Sequence, residues 1–214
     1  MITAGVGATH AVLFLVGFWL LSAVPRGHAS ESAIASFYGS PASRRVALAG
    51  LYVIPFAGIA FVWFTVALRM WVEGTARRTD ILLSNIQLIS GTIYVALVFV
   101  TGASVAVLAA SVEFTNGRID PDVGRLLPDL GTALLSVFAF RMAAMFVLTT
   151  STIARSTGVL PRWFVWLGYV VGLFLLLSAT LEAWLALIFP LWLLVLSFLI
   201  YRRARSMPRL PAMD

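Results

Sequence analysis

The sequence predicts an all-α integral membrane protein, a six-transmembrane-helix bundle whose N and C termini are both cytoplasmic. Of its 214 residues, 61% are hydrophobic and only 11% are charged, whereas soluble domains carry about 25% charged residues. Six stretches of the chain are continuously apolar. Because these stretches do not alternate between apolar and polar residues, and lipid tolerates only helices or closed barrels, the spanning elements are expected to be helices.

Each apolar stretch is close to the length of about 20 residues that a helix needs to cross a bilayer. The predicted spans are residues 5–24, 46–68, 81–112, 130–152, 163–180 and 184–201. The connecting segments are too short to fold alone, so residues 1–214 are expected to form a single transmembrane domain. The first span lacks the basic n-region of a secretory signal and is expected to stay uncleaved.

Arginine decides the predicted orientation, because all fifteen basic residues are arginine and short cytoplasmic loops carry an excess of basic residues. Nine of them lie on the side of both termini: Arg69, Arg77, Arg78, Arg155, Arg162, Arg202, Arg203, Arg205 and Arg209. Five lie on the opposite side: Arg26, Arg44, Arg45, Arg118 and Arg125. This excess predicts that both termini are in the cytoplasm.

The same arginines predict contact with anionic lipid, because a basic residue near an anionic leaflet is worth about 1 kcal/mol. The predicted lipid-contacting residues are Arg69, Arg77, Arg78, Arg155, Arg162, Arg202 and Arg203. The expected partners are therefore the lipid bilayer and its anionic lipids, while a membrane-protein partner or a second copy of the chain is left open. The net charge of +6 does not indicate nucleic-acid binding, because the arginines flank membrane spans.

Small residues and prolines predict where the helices pack and bend. Gly168 and Gly172 form a GxxxG pattern, and Gly102 begins a second series of small residues at intervals of four. Such patterns let helices approach closely, and internal packing is favoured over packing against a partner. Pro55 and Pro190 lie inside apolar spans and are expected to bend their helices, because proline removes a backbone donor.

A polar face on the third span supplies the candidate binding residues. Ser84, Gln87 and Tyr94 follow helical spacing, so they are expected to share one face. That face could line a polar cavity, although such side chains more often form hydrogen bonds between helices. His10 is a further candidate, and a hydrogen-bonded position inside the bundle is the favoured interpretation.

Arg141 is the charge that lies deepest within a predicted span. It follows Asp129 by 12 residues and precedes Arg155 by 14, which places it roughly 18 to 21 Å from either end. An arginine at the bilayer centre costs from about 2.5 kcal/mol upward, so its side chain is expected to face the interior and to find an acceptor on another helix or chain. A structural role and an anion-binding role both remain open.

The chain offers few residues for catalysis or for holding a cofactor. It has no cysteine and only two histidines, and neither histidine has the spacing of a metal site. No nucleophile elbow or phosphate-binding loop is present. The prediction is therefore no catalytic residue, no metal and no cofactor.

Residues 140–154, 158–163 and 167–169 resemble a recurring segment of small, uncharacterised multi-pass membrane proteins of high-GC Gram-positive bacteria. The resemblance covers about 30 residues. It implies a six-helix protein of the bacterial inner membrane and assigns no activity.

Three classes of function remain open. The first is a non-enzymatic accessory or assembly subunit of a larger membrane complex, which predicts compact packing and no solvent-filled path. The second is a small channel or transporter with a polar path that involves Arg141. The third, a lipid-modifying membrane enzyme, needs polar residues clustered at one interface.

Overall fold

A computed structural model describes residues 2–26, 29–75, 80–115, 117, 120–178 and 185–206, and the regular secondary-structure elements among these residues are all helices. The helices are α1 (Ile2–Leu21), α2 (Glu31–Tyr38), α3 (Pro41–Thr75), α4 (Ile81–Thr115), α5 (Pro121–Thr157), α6 (Arg162–Leu177) and α7 (Leu185–Ser206).

Five helices, α1, α3, α4, α5 and α7, are long and apolar enough to cross a membrane. The prediction of a helical membrane protein is therefore confirmed at that level. Helix α6 occupies the place of the predicted fifth span but has only 16 residues, which is about 24 Å of helix. Residues 179 and 180, the end of that predicted span, lie outside the described residues.

Helices α3 and α5 begin before the apolar stretches that predicted them, because polar residues cap their first turns. The side chain of Ser40 accepts a hydrogen bond from the backbone of Ala42, and Asp120 accepts one from Asp122. Pro41 and Pro121 follow these caps, at a position where a proline costs no hydrogen bond. The helices consequently include polar residues at both of their ends.

Each of these two long helices contains a π-helical segment, Ala49–Val53 in α3 and Leu134–Ala139 in α5. At the end of the first segment the backbone of Ile54 donates to the carbonyl of Ala49. The widened turn directly precedes Pro55, so the missing donor of this proline falls where the helical hydrogen-bond pattern already changes.

The two ends of the bundle differ in charge. At one end the hydroxyl of Thr3 lies 3.4 Å from the carbonyl oxygen of Ala67, and the guanidinium of Arg203 donates to the carbonyl of Val159 at 2.6 Å. We call this the basic end, because Arg69, Arg155, Arg162 and Arg202 also lie there. At the other end Arg44 and Glu113 form an ion pair of 3.2 Å between the start of α3 and the end of α4. We call this the mixed-charge end.

Glycines allow the closest helix contacts, and these contacts are internal, as the sequence predicts. A Cβ atom added to Gly168 would lie 2.0 Å from Oγ of Ser151, and one added to Gly172 would lie 2.6 Å from Cγ of Leu148. The GxxxG pattern of α6 therefore packs against α5. In the same way, a Cβ atom on Gly102 would lie 2.8 Å from the side chain of Ile54.

Candidate functional site

Aromatic side chains fill the middle of the bundle, and we call this cluster the aromatic plug. It consists of His10, Phe61, Phe64, Tyr94, Phe146 and Phe189, none of which exposes more than 1% of its surface. The ring centre of Phe61 lies 4.6 Å from that of His10, 5.1 Å from that of Tyr94 and 5.2 Å from that of Phe146. Five helices, α1, α3, α4, α5 and α7, contribute these rings, so the plug joins most of the bundle.

His10 is a buried residue of the plug and forms a hydrogen bond, which confirms the position inside the bundle that the sequence analysis favoured. Its Nδ1 donates to the carbonyl of Ala57 at 2.8 Å, and this bond fixes the proton on Nδ1. Its Nε2 has no hydrogen-bond partner among the described residues. Within that part of the chain no three histidine, aspartate or glutamate residues lie close enough together to hold a metal ion.

The predicted polar face of α4 is real, and it faces other helices. Ser84, Gln87 and Tyr94 are all buried. The amide nitrogen of Gln87 donates to the hydroxyl of Thr150 on α5 at 2.6 Å, and this hydroxyl donates to the carbonyl of Phe146. For Gln87, the alternative of a hydrogen bond between helices is thereby confirmed.

Arg141 lies about 24 Å along α5 from Thr157, and its side chain is half-buried. Its guanidinium donates to the carbonyl of Val137, within the π-helical segment of the same helix. The prediction that the acceptor comes from another helix or chain is therefore wrong. The physical reason is that side chains on a helix point back towards the preceding turn, which brings the carbonyl four residues earlier within reach.

Four of the arginines predicted to contact lipid surround the turn between α5 and α6. Arg155 and Arg162 line one recess, and Arg202 and Arg203 line the next, with Gly158 shared between them. The Arg155 guanidinium lies 5.8 Å from the ring centre of Trp166. Arg69 instead pairs with Glu73 at 2.9 Å. Arg77 and Arg78 lie outside the described residues.

A second interior feature, which the sequence analysis missed, is a narrow cavity in the half of the bundle towards the mixed-charge end. The cavity contains about 560 Å³ of empty space, a volume that includes the open space at its mouth. Helices α1, α3, α4, α5 and α7 line it, together with Arg26 from the segment after α1. Most of its wall is apolar, but Thr101, Thr132 and Ser136 bring three hydroxyls to it.

Arg26 is the charged residue of this cavity. Its Nε atom is shielded from solvent and has no hydrogen-bond partner among the described residues, and the same is true of the hydroxyl oxygen of Thr101. Burial lowers the pKa of the Arg26 guanidinium, and the negative charge of nearby Asp129 opposes this shift. An arginine nevertheless remains charged in proteins. Sequence reasoning counted Arg26 only as a loop arginine, since nothing along the chain links it to the hydroxyls of α4 and α5.

Comparison with protein-family models, with curated proteins and with solved structures finds no match for this chain.

Proposed function

We propose that this chain is a non-enzymatic, non-conducting accessory or assembly subunit of a larger complex in the bacterial cell membrane. The observation that carries the proposal is the aromatic plug. Phe61 exposes 0% of its surface and touches rings from α1, α4, α5 and α7. A solute path along the bundle axis would have to displace these rings, and closely packed interiors resist such displacement.

Five polar side chains near the middle of the bundle support the same choice over a transporter. Gln87 bonds to Thr150, and the hydroxyls of Thr149 and Ser151 donate to carbonyls of their own helix. Arg141 also bonds within its helix. These groups satisfy one another or the backbone, which is a packing role. Transport would instead need polar groups aligned along a continuous route.

The proposed topology has six spans with both termini in the cytoplasm and α6 as the short fifth span. The arginines of the basic end support this orientation through the positive-inside rule. The absence of natural cysteine allows a direct test. In intact cells an impermeant thiol reagent should label Ser36→Cys in α2 and should not label Arg155→Cys at the basic end. The reverse labelling pattern would invert the topology.

The accessory role is tested by isolating the protein with its native lipid, without detergent, and weighing the particles by native mass spectrometry. A second polypeptide at a fixed ratio to this chain is expected. The purified chain is also reconstituted alone into liposomes, where no flux of ions or small dyes is expected. Phe61→Gly, which removes the central ring of the plug, is the positive control, because leakage through this variant would show that the assay can detect flux. Particles that contain only this chain, combined with flux through the wild type, would favour the transporter alternative and overturn the proposal.

A further inference from the structure

The cavity beside Arg26 has the layout of a site for an amphiphile. Ligand sites are concave and mostly apolar, with a few polar groups that fix orientation. Phe14, Phe18 and Leu21 of α1 form an apolar wall, while Arg26 follows at the end of this wall. Phe14 and Leu21 are seven positions apart, which corresponds to about 10 Å of helix. The cavity therefore extends from Arg26 along α1 towards the middle of the bundle.

The unpartnered polar atoms of this site indicate what kind of head group it would accept. Buried polar groups in proteins nearly always have hydrogen-bond partners, and each exception calls for an explanation. Here the Nε of Arg26 and the hydroxyl of Thr101 both lack a partner among the described residues. A guanidinium matches the geometry of a carboxylate or phosphate, and an anionic oxygen would supply the missing acceptor.

The backbone around the cavity departs from regular helix on two sides. Ile54 directly follows the π-helical segment of α3, while Leu135 and Ser136 belong to that of α5, and all three line the cavity. A π-helical turn costs regular hydrogen-bonding geometry and is found frequently at functional sites. Both π-helical segments of the bundle's described residues therefore contribute to, or directly adjoin, the wall of this cavity.

We propose that this cavity binds a single-chain anionic amphiphile, with its acidic head group at Arg26 and its alkyl chain extending towards Phe14. The narrow width favours one slender chain over a ring system or a two-chain lipid. The inference does not depend on the accessory role, because it rests only on residues that line this cavity of the chain itself.

Binding is measured with radiolabelled dodecanoate on the full chain in nanodiscs of neutral phosphatidylcholine. Saturable binding is expected. Unlabelled dodecanoate and dodecyl phosphate are expected to compete about tenfold better than dodecanol, because a hydrogen bond to a charged group is worth at least that factor. The stronger of the two anions identifies the head group as carboxylate or phosphate. Equal competition by dodecanol, or no saturable binding, would overturn the proposal.

Three variants assign the binding to this cavity. Arg26→Gln removes the charge and should weaken binding about tenfold. Ala186→Leu adds volume to the cavity wall and should also weaken binding while Arg26 is intact. Arg45→Gln, an exposed arginine at the same end that does not line the cavity, should bind as the wild type does. Thermal unfolding of each variant verifies its fold, and folded Arg26→Gln and Ala186→Leu variants that both bind as tightly as wild type would exclude this site.

Discussion

The middle of the bundle is filled by aromatic rings, whereas the part nearer the mixed-charge end contains a cavity. The same five helices build the aromatic plug and the cavity. Phe14, for example, lines the cavity, and its ring centre lies 5.9 Å from that of His10 in the plug. The overall hydrophobicity of these helices therefore cannot explain the difference. Ring-to-ring contacts fill the middle of the bundle, whereas residues of or next to two π-helical segments and three hydroxyl side chains border the cavity.

This difference is informative because helices in lipid gain little from burying apolar surface against one another. Their association depends on van der Waals packing and on hydrogen bonds between helices. Side chains that border a cavity lack contacting atoms on one side and lose that part of the packing energy. The plug should therefore hold the bundle together, and the region around Arg26 should contribute less to stability.

The largest expected effect is that of removing the central ring of the plug. Phe61→Ala should destabilise the protein by about 3 kcal/mol, the low end of the range for soluble cores, because lipid already keeps these side chains out of water. Phe140→Ala is the matched comparison, since Phe140 is also buried but borders the cavity. Reversible unfolding in mixed micelles measures both variants. An equal loss of unfolding free energy in the two variants would contradict the proposed difference between the plug and the cavity region.

The second prediction concerns the close contact between α5 and α6. Gly168→Ala should lower stability by about 1 to 2 kcal/mol, because the new methyl group would overlap Ser151 and force the helices apart. Gly5→Ala is the control, because a Cβ atom at Gly5 would meet no other atom within 4 Å. That control should be neutral or stabilising by up to about 1 kcal/mol. If Gly168→Ala left the stability unchanged, the distance between α5 and α6 at Gly168 would have to be larger than it is in the structure.

Hydrophobic patterns predicted the helical fold and the packing faces, because both follow from helical spacing along the chain. The shared face of Ser84, Gln87 and Tyr94 is one example, and the internal GxxxG contact is another. Five of the described helices are long and apolar enough to span a membrane, and the count of six spans stays a prediction. The prediction of an acceptor for Arg141 on another helix or chain was wrong, because the backbone carbonyl of Val137, one turn earlier in the same helix, accepts its hydrogen bond.

The cavity could not be predicted from the same patterns. Its hydroxyls come from different helices, and Arg26 stands between elements where an arginine usually serves only as a topology signal. The two π-helical segments also have no clear sequence signature apart from the proline that follows the first. Only the three-dimensional arrangement brings these features together.

The third prediction tests whether the ends of the bundle differ in their response to lipid charge. Anionic nanodiscs should raise the melting temperature relative to neutral ones, because Arg155, Arg162 and Arg202 surround exposed recesses at the basic end. The corresponding gain in the free energy of unfolding should be smaller by about 1 kcal/mol for Arg162→Gln, and by a similar amount for Arg202→Gln. Arg45→Gln at the mixed-charge end should keep the full gain. Identical melting in both lipids would leave these arginines as orientation signals only.

The smallest expected effect is that of the hydrogen bond between Gln87 and Thr150, which lies beside the plug. Hydrogen bonds between membrane helices average about 0.6 kcal/mol, because the separated helices also find partners for these groups. Gln87→Leu and Thr150→Val, combined in a double-mutant cycle, should therefore show a coupling of about that size. A coupling near zero would mean that ring packing alone stabilises the contact between α4 and α5 beside the plug. A coupling above about 2 kcal/mol would exceed the values known for such bonds and would make the polar contact, rather than the rings, the main link between α4 and α5.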